Sequence, residues 1–208
     1  MPPPPGETEQ QVIQWNDTVR RSGVVRVFVG PSMRGSGWSA VVDQAINALN
    51  IALADKGFVV TIKRVSKESD AEAVIETTPG SALHGQSLLH TEGTANVQRV
   101  TIKIPATPRV SQVDPKAREA GSGVRLYIVA HELIHTLGLT NAAHSRDDVF
   151  TRNPMLAQKG VVPRGSNVLT EDKVQTFDLS RYIPPVVLGA ATIANLKKAW
   201  PESVRIPI

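Results

Sequence analysis

Five histidines occur in the 208-residue chain, and three of them fall in the fourteen residues from His131 to His144. They lie in the stretch VAHELIHTLGLTNAAHSRDD, Val129 to Asp148, with Glu132 beside the first. His131 and His135 are four residues apart. On a helix that spacing projects both rings from one face, one turn apart, and suits two nitrogens on a single zinc ion. Glu132 is then placed to reach a water on the metal without filling a metal position. A metal lowers the pKa of such a water to about 7, and a carboxylate base can take its proton. These parts together would attack a polarised carbonyl, as in amide hydrolysis. The competing reading is a helix on which the histidines coincide by chance. The flanking Leu126, Ile128, Val129, Leu133, Ile134 and Leu137 make this helix strongly apolar, so it is expected to be buried. Two buried histidines and a glutamate without partners would be costly, and a metal removes that cost.

A catalytic zinc needs a third protein ligand and an open position. The candidates after the helix are Asn141, His144, Asp147 and Asp148. Asn is a poor zinc ligand. His144 follows His135 by nine residues, close enough for a looped return, and is the preferred third ligand. Asp147 and Asp148 stay open as alternatives, or as groups bracing the loop or a ligand histidine. His84 and His90 read as ordinary exposed or half-buried residues.

The elements that must hold this helix are legible in outline. Val24–Val29 is a β-branched run ended by Gly30-Pro31, a strand signal. An amphipathic helix follows, carrying Val41, Ala45, Ile46, Leu49 and Ala52, with Ser39 as its expected N-cap and Gly57 as its stop. Phe58–Val65, Ala71–Thr78 and Val97–Ile104 read as strands, and Ser81–His90 as a weak strand interrupted by Gly85. The histidine helix is predicted over Val124–Leu137, with Gly138 in the C-terminal glycine position. Leu139–Leu169 reads as loop, Leu169–Phe177 as a short helix capped by Thr170, and Val186–Trp200 as a last helix. The order is that of an α+β protein. The RGSGW turn, Arg34 to Trp38, is no phosphate loop, because Ser36 stands where the lysine is required.

Composition narrows the function further. The net charge is +4 and aromatics make up 4%, with no dense basic stripe, which argues against a nucleic-acid partner. There is no cysteine, so a metal must be held by His, Asp or Glu. No apolar run of about 18 residues exists, so no membrane span is expected. The opening MPPPPGETEQ lacks the pattern of a secretory signal. These features lead to an expected location in the cytoplasm or on a virion. The proline run suggests an extended arm over residues 1–22, read first as disordered or passive, with a linker or a strap docking the chain onto a larger assembly as alternatives.

HELIHTLGL resembles the H-E-x-x-H-x-x-G active helix of the metzincin zinc endopeptidases, nearest to their matrixin branch. ALHGQSLL is similar to the edge strand with which that family holds substrate, HSRDDVF to the segment opened by its third histidine, and LTEDKVQTF to the start of its C-terminal helix. The likeness covers roughly Val24 to Phe177, and its specific part is the active helix. It departs from the family at Asn141, which occupies the usual third-ligand position, three residues before His144. Met155 in NPMLA is the match for the methionine turn below the metal, whereas a simple alignment would put Phe150 there.

The resemblance implies a twisted mixed sheet with a backing helix and an active-site helix, in an upper lobe over 23–138. A smaller lobe over 139–208, mostly irregular and helical, would supply the third ligand, the Met155 turn and the last helices. It implies zinc as cofactor, Glu132 as general base, and His131, His135 and His144 as ligands. Ala82, Leu83, His84, Gly85 and Gln86 would bind a peptide or protein substrate lying antiparallel to the edge strand, and LAQKGVVPRG would wall the pocket for the residue after the cut. The alternative is a structural or attachment protein, for example of a phage particle, that keeps this fold and its zinc. Retention of Glu132 argues against it, since a structural zinc needs no base. A third reading uses the same residues as a metal-dependent hydrolase of a non-peptide substrate.

Overall fold

β-Branched residues concentrate in four short runs, and each becomes a strand of one sheet. They are β1 (Val24–Val29), β2 (Thr61–Val65), β3 (Ala73–Thr78) and β5 (Arg99–Pro105). A fifth, β4 (Gln86–His90), lies at the edge. The computed structural model describes residues 12–82, 84–93, 95–109, 119–141, 143 and 186–201. The strand order is β2-β1-β3-β5-β4. Neighbouring pairs are parallel, except that β4 runs antiparallel to β5 with Ser87 opposite Ile102. The protein is therefore α+β, with a mostly parallel mixed sheet.

Alternation along the strands turns Val25, Val27 and Val29 of β1 and Val100, Ile102 and Ile104 of β5 into the core. Two helices cover them. α2 (Trp38–Asp55) and α3 (Ser122–His135) pack against each other, and α3 also meets β4 and β5. α2 buries Val41, Ala45, Ile46, Leu49 and Ala52, the stripe its periodicity predicts, and with them Val42 and Leu53. Each of the buried valine, isoleucine and leucine side chains contributes about 1.5–3 kcal/mol by leaving water.

The start of α2 differs from the expectation. Ser39 lies inside the first turn, and the N-cap is Gly37 in the left-handed conformation, with no side-chain cap. The reason is Trp38. Its ring is buried, its indole N–H donates to Ala106 O at 3.2 Å, and Arg125 of α3 stacks 5.0 Å from the ring centre. Fixing Trp38 there forces the turn at Gly37. The weak strand predicted over Ser81–His90 pairs only from Gln86 onward.

Residues 12–22, read from sequence as part of an arm, are built into the domain. Val12 bridges Leu139 and Trp15 bridges Val97. A short helix α1 (Asp17–Ser22) follows, with Asn16 accepting from Val19 N–H at 3.1 Å. At the other end of the chain, α4 (Ala190–Ala199) begins after Gly189, and Trp200 behind it is buried. The helix expected over Val186–Trp200 is thus shorter at its start, where Gly189 is extended. The predicted helix at Leu169–Phe177 lies outside the described residues, as does most of the loop before it. Among the described residues, no helix is long and apolar enough to cross a membrane.

These terminal segments close the end of α3. Trp15 Nε1 donates to Thr136 O at 2.6 Å, Trp200 Nε1 to Leu137 O at 2.9 Å, and Ile13 N to Gly138 O at 2.8 Å. Gly138 has φ +86°, and a Cβ there would strike the Ile13 carbonyl. The left-handed region alone costs an L-residue roughly 1–2 kcal/mol. Gly138→Ala should therefore lose more than about 2 kcal/mol of folding stability in urea unfolding. A loss below about 0.5 kcal/mol would contradict the close approach of the two backbones.

Candidate metal and proton-transfer site

α3 carries His131, Glu132 and His135 on its last turns. Its length and direction follow from Val124, Tyr127, Ile128, Leu133 and Ile134, all buried. The His131 and His135 rings lie 5.3 Å apart between centres and are inclined by 64°. His131 is half-buried and His135 is 3% exposed.

The tautomer of His135 follows from its partner. Nδ1 lies 2.7 Å from the Leu139 carbonyl oxygen, which can only accept. In the neutral ring Nδ1 therefore carries the hydrogen, and the lone pair sits on Nε2. A metal-ligating histidine has this arrangement, with its second nitrogen anchored on a carbonyl or carboxylate. Leu139 O is able to do this because Gly138 turns the chain back beneath the helix. The turn continues with Ala143 N–H donating to Thr140 O at 3.0 Å. Asn195 of α4 then donates to Ala143 O at 2.6 Å. The segment leaving α3 is thus tied to α4 at the residue before His144.

Glu132 is 2% exposed. Burial pushes its carboxyl up to about 7, against the opposing pull of the Ser87 hydroxyl and the Gly85 main-chain amide. Ser87 Oγ donates to Glu132 Oε2 at 2.7 Å. Gly85 packs so tightly on this side chain that a Cβ would come within 2.7 Å of Glu132 Cγ. A carboxyl that titrates near neutrality is suited to take up and release a proton at working pH.

Of the residues singled out from sequence, His131, Glu132 and His135 come together on α3. Gly85 meets Glu132, and Gln86 opens the edge strand β4. Ala82 is half-buried and His84 exposed in the segment leading into β4. Leu83, His144, Asp147, Asp148 and Met155 lie outside the described residues. His90 is engaged with Thr101, at 3.0 Å from Nε2 to Oγ1. Sequence reasoning missed the contact of Ser87 with Glu132. Ser87 is 45 residues from Glu132, and only the packing of α3 on β4 brings the two together. Among the described residues no three histidine, aspartate or glutamate side chains gather as a metal cage. The two imidazoles on one helix face, one with its tautomer fixed for Nε2 ligation, nevertheless fit zinc chemistry. No family model and no curated protein matches this chain.

The buried carboxyl makes a prediction for metal-free protein. Its folded pKa lies above the unfolded value of 4.5, so the folded state holds the proton more tightly. The stabilisation is complete below pH 4.5 and is lost as pH rises through about 7. The shift corresponds to roughly 3 kcal/mol. In chelator-treated protein, Glu132→Gln should gain on wild type by about that amount between pH 5 and pH 8. Urea unfolding at both pH values measures it. A stability difference that does not change with pH would remove the buried ionisable carboxyl from the account.

Proposed function

We propose that the chain is a zinc-dependent endopeptidase of the metzincin type. The observation that carries this reading is the buried Glu132 between two histidines four residues apart, one of them anchored through Nδ1 to Leu139 O. The element order supports it: β1, α2, β2, β3, the antiparallel edge strand β4, β5, then the active helix. His131 and His135 would hold the zinc, with His144 as third ligand and Asp147 or Asp148 as its replacement. Met155 would form the turn beneath them. Zinc, when bound, supplies a Lewis acid that polarises the scissile carbonyl and acidifies water.

The chain's own residues do the rest. Glu132 accepts a proton from the attacking water and passes it to the departing amine nitrogen, so that the peptide C–N bond breaks to a neutral amine. Burial keeps that carboxyl from being levelled by bulk water. Among the described residues β4 is an outermost strand of the sheet, and an extended peptide added antiparallel to it would gain main-chain hydrogen bonds. Leu88, on the same strand, is 40% exposed and available to the peptide's side chains.

Purified protein should hold about one zinc per chain, and His131→Ala or His135→Ala should each abolish tight binding. It should cleave casein, and a chelator should stop it. Glu132→Ala should keep its zinc and lose about 10²–10⁴ in rate. A wild-type protein that binds zinc and cuts no tested protein would support the attachment reading instead. Zinc content also tests the third ligand. His144→Ala should weaken binding far more than Asp147→Ala or Asp148→Ala, whose expected losses are about 10- to 100-fold. An aspartate variant that empties the site while His144→Ala stays loaded would transfer the role.

A further inference from the structure

The edge strand does more than face solvent. Its residues alternate between exposed Gln86, Leu88 and His90 and half-buried Ser87 and Leu89. Ser87 is therefore directed toward α3, where its hydroxyl lies 2.7 Å from Glu132 Oε2 and 3.2 Å from the Glu132 carbonyl oxygen. The shorter contact is the hydrogen bond proper, and it is charge-assisted when the carboxyl is ionised. Ser87 stands opposite Ile102 in the β4–β5 register, and Ile102 is fully buried. Its backbone is thus fixed by a ladder and by the core behind it. A glutamate side chain has three rotatable bonds, so burial alone does not choose one orientation for the carboxylate. A donor on a rigid strand does.

Resting on the peptidase reading above, we infer that Ser87 is a positioning residue for the general base, tying Glu132 to the strand that receives the substrate. A peptide added to β4 is registered against the same backbone that holds the base. The distance between the scissile carbonyl and the carboxylate is then set by one element. The hydroxyl takes no part in bond making. It holds Oε2 while Glu132 gains and loses its proton. Sites of this kind lose activity when the reacting group drifts by about 0.5 Å.

The test uses the full, zinc-loaded chain and initial rates on labelled casein over a concentration series. Ser87→Ala should lower kcat about 10- to 100-fold, the worth of a hydrogen bond to a charged group. KM and zinc per chain should stay as in wild type. Ser87→Thr keeps a hydroxyl on a β-branched frame and should recover most of the rate. A second readout does not depend on turnover. In chelated protein, Ser87→Ala should lower Tm in the wild-type background and have a smaller effect in a Glu132→Leu background. Equal Tm losses in the two backgrounds overturn the inference, because the two side chains are then uncoupled. If wild type cleaves and Ser87→Ala cleaves as fast, the inference falls and the peptidase reading stands. If Ser87→Ala loses zinc, or changes KM alone, Ser87 serves the fold and the inference again falls. If wild type cleaves nothing, both fall together, whatever the Tm coupling.

Discussion

A chain that leaves a helix inside a protein must find donors for the carbonyls of its exit turn, and after α3 three of those donors come from segments remote in sequence. Four consecutive carbonyls, from Thr136 to Leu139, accept from Trp15, Trp200, Ile13 N–H and His135 in turn. Leaving one such buried acceptor without a donor costs about 1–3 kcal/mol. The arrangement satisfies them and sets the exit path of the chain at the same time. That path is what brings Leu139 O beneath His135 and fixes which imidazole nitrogen carries the lone pair. Trp15 and Trp200 each bury a large ring in the core and spend their single N–H on the turn that follows α3.

The site itself works against stability. Glu132 is almost wholly buried with two supporting donors, Ser87 and the Gly85 amide, and no cation is seen to offset its charge among the described residues. A fold selected for stability alone would place leucine there. Burial that raises the carboxyl toward neutrality is instead the condition a proton-transferring group requires. The apolar sheet behind α3 compensates, with Val100, Ile102 and Ile104 of β5 fully buried. Gly85 is the narrow point between these demands, since any side chain there would enter the space of Glu132 and Lys103 O.

Much of this was legible in the sequence, and the remainder fails for identifiable reasons. The strands β1, β3 and β5 and the helices α2 and α3 follow from apolar periodicity, which is a local property. His131, Glu132 and His135 follow from a spacing that means something only on a helix, and the helix is present. Ser39 was a sound N-cap by residue type, but burial of Trp38 moved the helix start ahead of it. The packing of residues 12–22 had no local signal, since a lone Trp15 in polar sequence does not announce what it contacts. The contacts that complete the site join residues far apart: 121 positions for Trp15 and Thr136, 63 for Trp200 and Leu137, 45 for Ser87 and Glu132. Only the tertiary fold pairs them.

In the proposed reading, the His131 and His135 imidazoles of α3 take one metal ion between them. Nitrogen NMR of histidine-labelled protein observes those rings directly. In metal-free protein near pH 8, His135 should appear as the Nδ1–H tautomer with an unprotonated Nε2. One equivalent of zinc should shift the Nε2 signal of His135 and a ring nitrogen of His131 together, with saturation at one ion per chain. An Nε2–H tautomer for His135, or ring signals of the two residues that do not respond to zinc, would contradict the account.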